Sequence, residues 1–178
     1  MKYVYLLVAG LLASSAHFYV VWRHSDDRRY SISEHAMLSR QSHLIYFVAH
    51  VLCEVFFLLF SYQFFVREHQ YWLPFYLNII FAVLDFVQAA IPSRGKTEKI
   101  HFAAAYVSWC CYLLAGLLAM FKLSVAQPYL LIAILLIIPV LAMFIYMHVN
   151  RSKLYPYQLA MVPLFVLYML FITIGASS

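Results

Sequence analysis

Long apolar runs separated by short polar intervals dominate the chain. Six runs, at 3–22, 44–66, 72–91, 102–121, 129–147 and 157–175, approach or exceed the ~20 residues that a helix needs to cross a hydrocarbon core. An unpaired backbone is too costly in lipid, and no alternating barrel pattern interrupts the runs, so all six are expected to be helices. The intervals are short, so neighbouring helices must run antiparallel. The pattern predicts an all-α fold, a polytopic transmembrane bundle of six helices forming one domain over 1–178. Trp22, Tyr71, Trp72, Tyr129, Tyr155 and Tyr157 fall at run ends, as interfacial aromatics do.

Composition agrees. Hydrophobic residues make up 66% of the chain and charged residues 11%, against about half and about 25% in soluble domains. Gly is scarce and the six prolines lie mostly at run ends, which excludes collagen-like and disordered readings. The net charge of +5 is spread over short loops with no basic stripe, so nucleic acid is not an expected partner. Cys53, Cys110 and Cys111 lie inside apolar runs without CxxC spacing and read as small buried hydrophobes.

Charge changes the picture by choosing a side. Arg23, Arg28, Arg29 and Arg40 flank or lie in loop one, Arg94, Lys96 and Lys99 lie in loop three, and Arg151 and Lys153 in loop five. Only Lys2, Arg67 and Lys122 lie at the other ends of the runs. The bias puts loops one, three and five in the cytoplasm and both termini outside. The first run resembles a cleavable signal peptide at its start, but it stays apolar past Ala16 to Trp22, and an uncleaved helix is expected. The sequon Asn150-Arg151-Ser152 hugs the membrane on the expected cytoplasmic side and carries no weight there. Within loop one, Ser31 or Ser33 followed by Glu34 can cap a short interfacial helix.

Ionisable groups sit inside the runs, mostly toward the arginine-rich side. His50 lies about 10 Å deeper than His43 along run two, and Glu54 lies near mid-membrane. These three and Ser61 share one stripe, and His50 and Glu54, one turn apart, can hydrogen-bond. Run three carries Asn78, Asp85 and Gln88, and His101 opens run four. A charge at the bilayer centre costs about 2.5–3.5 kcal/mol on insertion scales. Glu54 and Asp85 should therefore face the bundle interior, beside a donor or holding a proton. The expected site is a cytoplasm-open cleft of His50, Glu54, Asp85, Gln88 and His101, covered by loop one. Asn78 and Gln88 also suit plain interhelical hydrogen bonding. His17 and His148, near run ends, read as interfacial, and His24 and His35 as solvated.

Three chemistries fit such a cleft. Glu54, Asp85 and His50 can titrate as a lipidic or protonated solute binds or moves, without any cofactor. Alternatively His50, Asp85 and His101 could hold zinc while Glu54 acts as the base of an intramembrane hydrolase acting on lipid. Haem between His50 and His101 or His17 is a further option, although their depths match poorly. HExxH, GxSxG and phosphate-binding glycine motifs are absent. A fourth reading is a structural subunit of a membrane complex, without chemistry of its own.

"RRYSISEHAM" (Arg28–Met37) before run two, and "QAAIPSRGKTEKIHFAAAY" (Gln88–Tyr106) across loop three, resemble the six-span DRAM-like family, which includes damage-regulated autophagy modulators and bacterial relatives. The shared pieces are Ile32-Ser33-Glu34, Pro92 at the end of run three and His101 opening run four. Where the bacterial pattern continues Leu-Gly, this chain has His35-Ala36. The resemblance implies a role in lipid or membrane homeostasis and draws attention to Ser33, Glu34 and His101.

Overall fold

The computed structural model describes residues 1–25, 31–91, 93, 95–149 and 154–177, with the side chain of His148 excepted. Arg28, Arg29, Pro92, Arg94, the sequon Asn150-Arg151-Ser152 and Lys153 lie outside the described residues.

The helices are α1 (Lys2–Arg23), α2 (Ile32–Ala36), α3 (Arg40–Ser61), α4 (Trp72–Ala90), α5 (Glu98–Lys122), α6 (Gln127–Val149) and α7 (Tyr155–Ser177). All but α2 belong to spans long and apolar enough to cross a membrane. The fold is all-α, as expected. Several spans outrun their apolar cores because capping, rather than hydropathy, sets their ends. The Ser39 side chain accepts the Ser42 N–H at 3.1 Å, so α3 begins a turn before the apolar run. At its far end α3 continues as a π-helical stretch, Tyr62–Glu68. Gln70 takes a left-handed φ of 51°, and its N–H returns to the Val66 carbonyl at 3.1 Å, which ends the span.

Polarity runs inside out. Leu44, Val48, Leu52, Val55 and Leu59 make an exposed apolar stripe on α3, while His50, Glu54 and Ser61 of the same helix are buried. The other spans follow suit, and Trp22 and Trp72 lie exposed near helix ends. Such an outer surface suits hydrocarbon as its solvent, with the aromatics at its edges. The chain is an integral, multi-pass membrane protein.

Around the bundle, α5 packs on α4, α4 on α3, α3 on α1, α1 on α7 and α7 on α6. Small residues make close approach possible: α1 buries Ala9, Ala13 and Ala16. One end of the bundle carries α2, and the opposite end carries both termini. At the termini end the Lys2 ammonium donates to Glu68 and, at 2.7 Å, to Ser177 Oγ, which ties α1, the π-helical stretch and α7 together. Phe60, Phe64, Tyr168, Met169 and Ile172 fill the interior there.

The expected cap in loop one forms at Ser31. Its Oγ accepts the Glu34 N–H at 3.2 Å and the Glu34 carboxylate accepts the Ser31 N–H at 3.0 Å, a complete capping box for α2. The Gln158 side chain of α7 accepts the Ile32 N–H at 2.8 Å. These bonds hold α2 across the end of the bundle, with Ile32, Ser33, His35 and Ala36 buried.

Candidate functional site

Between the helices, from the α2 end to mid-bundle, lies a cavity of about 130 Å³. All five expected cleft residues, His50, Glu54, Asp85, Gln88 and His101, line it, with Ser33 of α2 at its mouth. Each of the five is more than nine-tenths buried. Phe57, Phe81, Trp109, Tyr112 and Phe165 form much of the remaining wall.

Helical spacing puts these groups in register. His50 and Glu54, one turn apart, face α4, while Asp85 and Gln88, three apart, face back. His50 Nδ1 donates to Asp85 Oδ2 at 2.6 Å, and the Gln88 amide donates to Asp85 Oδ1. The Glu54 carboxyl lies beside that of Asp85, close enough for the two to interact directly. His50 Nε2 lies 3.1 Å from His17 Nε2. The result is one buried file of ionisable groups, His17, His50, Asp85 and Glu54, crossing three helices. Each end of the file keeps an unused buried atom: His17 Nδ1 and Glu54 Oε2 have no hydrogen-bond partner among the described residues.

Four expectations change. His50 does not bond Glu54, because Asp85 and His17 occupy its two ring nitrogens and Glu54 turns to Asp85. His17 is buried in the site rather than interfacial, stacked on Tyr46 with ring centroids 5.8 Å apart. Tyr46 also lies 4.2 Å from the His50 ring, so it braces both imidazoles. Sequence reading gave His17 only as interfacial or as a haem partner of His50 and did not single out Tyr46, yet a signal existed: Leu6, Gly10, Ala13 and His17 recur at spacings of four, three and four, and all line the cavity. His35 is buried rather than solvated, its Nδ1 donating to the Ser31 carbonyl at 2.8 Å. His24 is likewise engaged, 2.9 Å from Ser42 Oγ. The expected plain glue is present at Asn78, whose amide donates to Ser61 Oγ at 2.9 Å away from the cavity.

The donor arrangement fits a metal poorly. His50 has both ring nitrogens engaged, by Asp85 and His17, and so has none free to ligate, whereas His101 uses only Nδ1, which donates to the Ile91 carbonyl at 3.1 Å. Among the described residues no three His, Cys, Asp or Glu side chains converge as a ligand set, His50, Asp85 and His101 included. Haem needs two imidazoles on opposite faces of a porphyrin, and the direct contact of His17 with His50 leaves no plane between them. No protein family, curated protein or solved structure matches the chain.

Proposed function

We propose that this protein binds or moves a small lipidic or protonated solute in the cavity, with protons exchanged along the file from His17 to Glu54. One observation carries the reading: His17, His50 and Asp85 stand in hydrogen-bond sequence with Glu54 beside them, all four line one cavity, and His17 Nδ1 and Glu54 Oε2 are buried without a partner among the described residues. Buried polar atoms are ordinarily satisfied, and the exceptions call for a partner. With His50 Nδ1 donating to Asp85, a neutral His50 accepts from His17 Nε2, and a third proton taken up by the pair can sit on either ring and pass between them without movement of the helices. Nine Lys and Arg at the ends of the apolar runs on the α2 side, against three on the other, favour a cytoplasmic mouth and external termini. The DRAM-like resemblance points the same way, since Ser33 and His101 belong to both the shared motif and the cavity wall.

The reading is tested by native mass spectrometry of the protein extracted in mild detergent. A bound non-protein mass is expected on the parent and is expected to be lost from folded Asp85→Asn and Glu54→Gln variants. Parent protein carrying nothing, or variants retaining the mass unchanged, would sink the proposal.

A further inference from the structure

The ring of spans has one loose seam. α5 and α6 are joined by four residues, Leu123 to Ala126, yet their backbones stay apart. At the termini end α7 closes the gap behind them. Gly116 of α5 lets the Tyr168 ring lie so close that a Cβ there would sit 2.5 Å from Tyr168 Cε1, and Tyr168 Oη donates to Met120 Sδ at 3.3 Å. Toward the α2 end, Phe102 and Tyr106 of α5 and Phe144 and Met147 of α6 line the cavity. Tyr106 and Phe144 meet edge to face across the seam, ring centroids 5.6 Å apart. Side chains of α5 and α6, rather than packed backbones, line this part of the cavity.

The interior is graded. Past the seam the wall is aromatic, with Trp109 stacked on Phe165 at a centroid distance of 4.5 Å. Glu54 lines the same cavity, and its Oε2 is buried without a partner among the described residues. An apolar body fits the wall, and a hydrogen-donating head fits the oxygen. An anionic head would instead meet the two carboxyl groups of Glu54 and Asp85.

We propose that an amphiphile with a hydroxyl or amine head inserts its head and first few carbons between α5 and α6, beside Phe81, Trp109 and Phe165, and donates its head hydrogen to Glu54, while the rest of its chain stays in the bilayer. This rests on the cavity being a solute site and adds the ligand's chemistry and its route.

Trp109 supplies the readout once Trp22 and Trp72 are replaced by Phe. The protein is reconstituted in nanodiscs and titrated with dibromo-octadecanol, dibromo-octadecylamine or dibromostearic acid as quenchers. Saturable quenching is expected with the alcohol or the amine at about tenfold lower mole fraction than with the acid, and Glu54→Leu removes it. Should Glu54→Leu fail to fold by circular dichroism, Glu54→Gln serves. That variant keeps an acceptor oxygen, so amine binding falls about tenfold while alcohol binding changes little. For the route, Tyr106→Cys and Phe144→Cys are joined by a cleavable bis-thiol reagent after Cys53, Cys110 and Cys111 are changed to Ala. Quenching then slows about tenfold and recovers on cleavage.

A preference for stearate, or alcohol and amine binding indifferent to Glu54, overturns the ligand class while leaving the cavity a solute site. An unchanged rate in the linked protein overturns the route. Absence of saturable quenching by all three probes, together with no co-purifying mass, overturns the underlying reading as well.

Discussion

His17 and His50 meet nitrogen to nitrogen at 3.1 Å, although 33 residues separate them in the chain. His50 meets Asp85 on its other side, so its ring bridges α1 and α4 and joins three helices in one polar file. The buried His50–Asp85 pair at its centre is the part of the site most sensitive to truncation.

Removing His50 strands the Asp85 carboxylate. His50→Ala is expected to destabilise the protein by about 3–5 kcal/mol, the usual cost of leaving one partner of a buried pair. In an Asp85→Asn background the same substitution should cost much less, because no charge is left unpaired. Unfolding in mixed micelles, run as a double-mutant cycle, measures the coupling. Equal costs in both backgrounds would show that the two side chains do not act as a pair.

The capping box of α2 makes a local prediction. Ser31→Ala removes the acceptor of the Glu34 N–H and should loosen α2 by about 1 kcal/mol. Amide hydrogen exchange at Ile32 to Ala36 should accelerate about fivefold, while the amides of α3 keep their protection. Unchanged exchange would mean that the Gln158 bond alone holds α2 in place.

Gly116 is required by a close approach rather than by backbone conformation. Gly116→Val puts side-chain atoms into the Tyr168 ring and should cost about 1–3 kcal/mol, the range for overpacked cores. Tyr168→Leu in the same chain should return part of that loss. Thermal unfolding of the two variants and their combination tests the contact, and additive losses would contradict it.

A pH dependence is expected at the termini end. Burial is the main reason that His69 titrates below its ordinary value of 6.5, with the nearby Lys2 ammonium acting in the same direction and the Glu68 carboxylate opposing. Below that pH the unfolded chain binds the proton more readily than the folded one, so stability falls as acidity increases. His69→Gln should flatten the stability profile between about pH 6.5 and pH 5. An unchanged slope would assign the acid sensitivity to other groups.

Much of the architecture was legible in the chain because the bilayer imposes one rule on every residue. A run of about 20 apolar side chains has few alternatives to a spanning helix. The helix period also showed that His50 and Glu54 share a face, and the cost of charge in lipid argued that this face points inward. Hydropathy was silent on the ends of the spans, since the Ser39 cap and the Gln70 turn are local hydrogen-bond geometry.

Partnership was decided only by tertiary structure. Spacing along α3 offered Glu54 to His50 as readily as it offered either to another helix, and only the docking of α1 and α4 placed His17 and Asp85 against the imidazole. His17 looked interfacial because depth was the only coordinate available for it. Its rotation toward α3 depends on how closely the Ala9, Ala13 and Ala16 face lets the helices approach. The seam between α5 and α6 was likewise unreadable, because two spans joined by four residues would be expected to pack together. At the termini end α5 instead takes the Tyr168 ring of α7 on Gly116, a contact between positions 52 residues apart that hydrophobic periodicity does not encode.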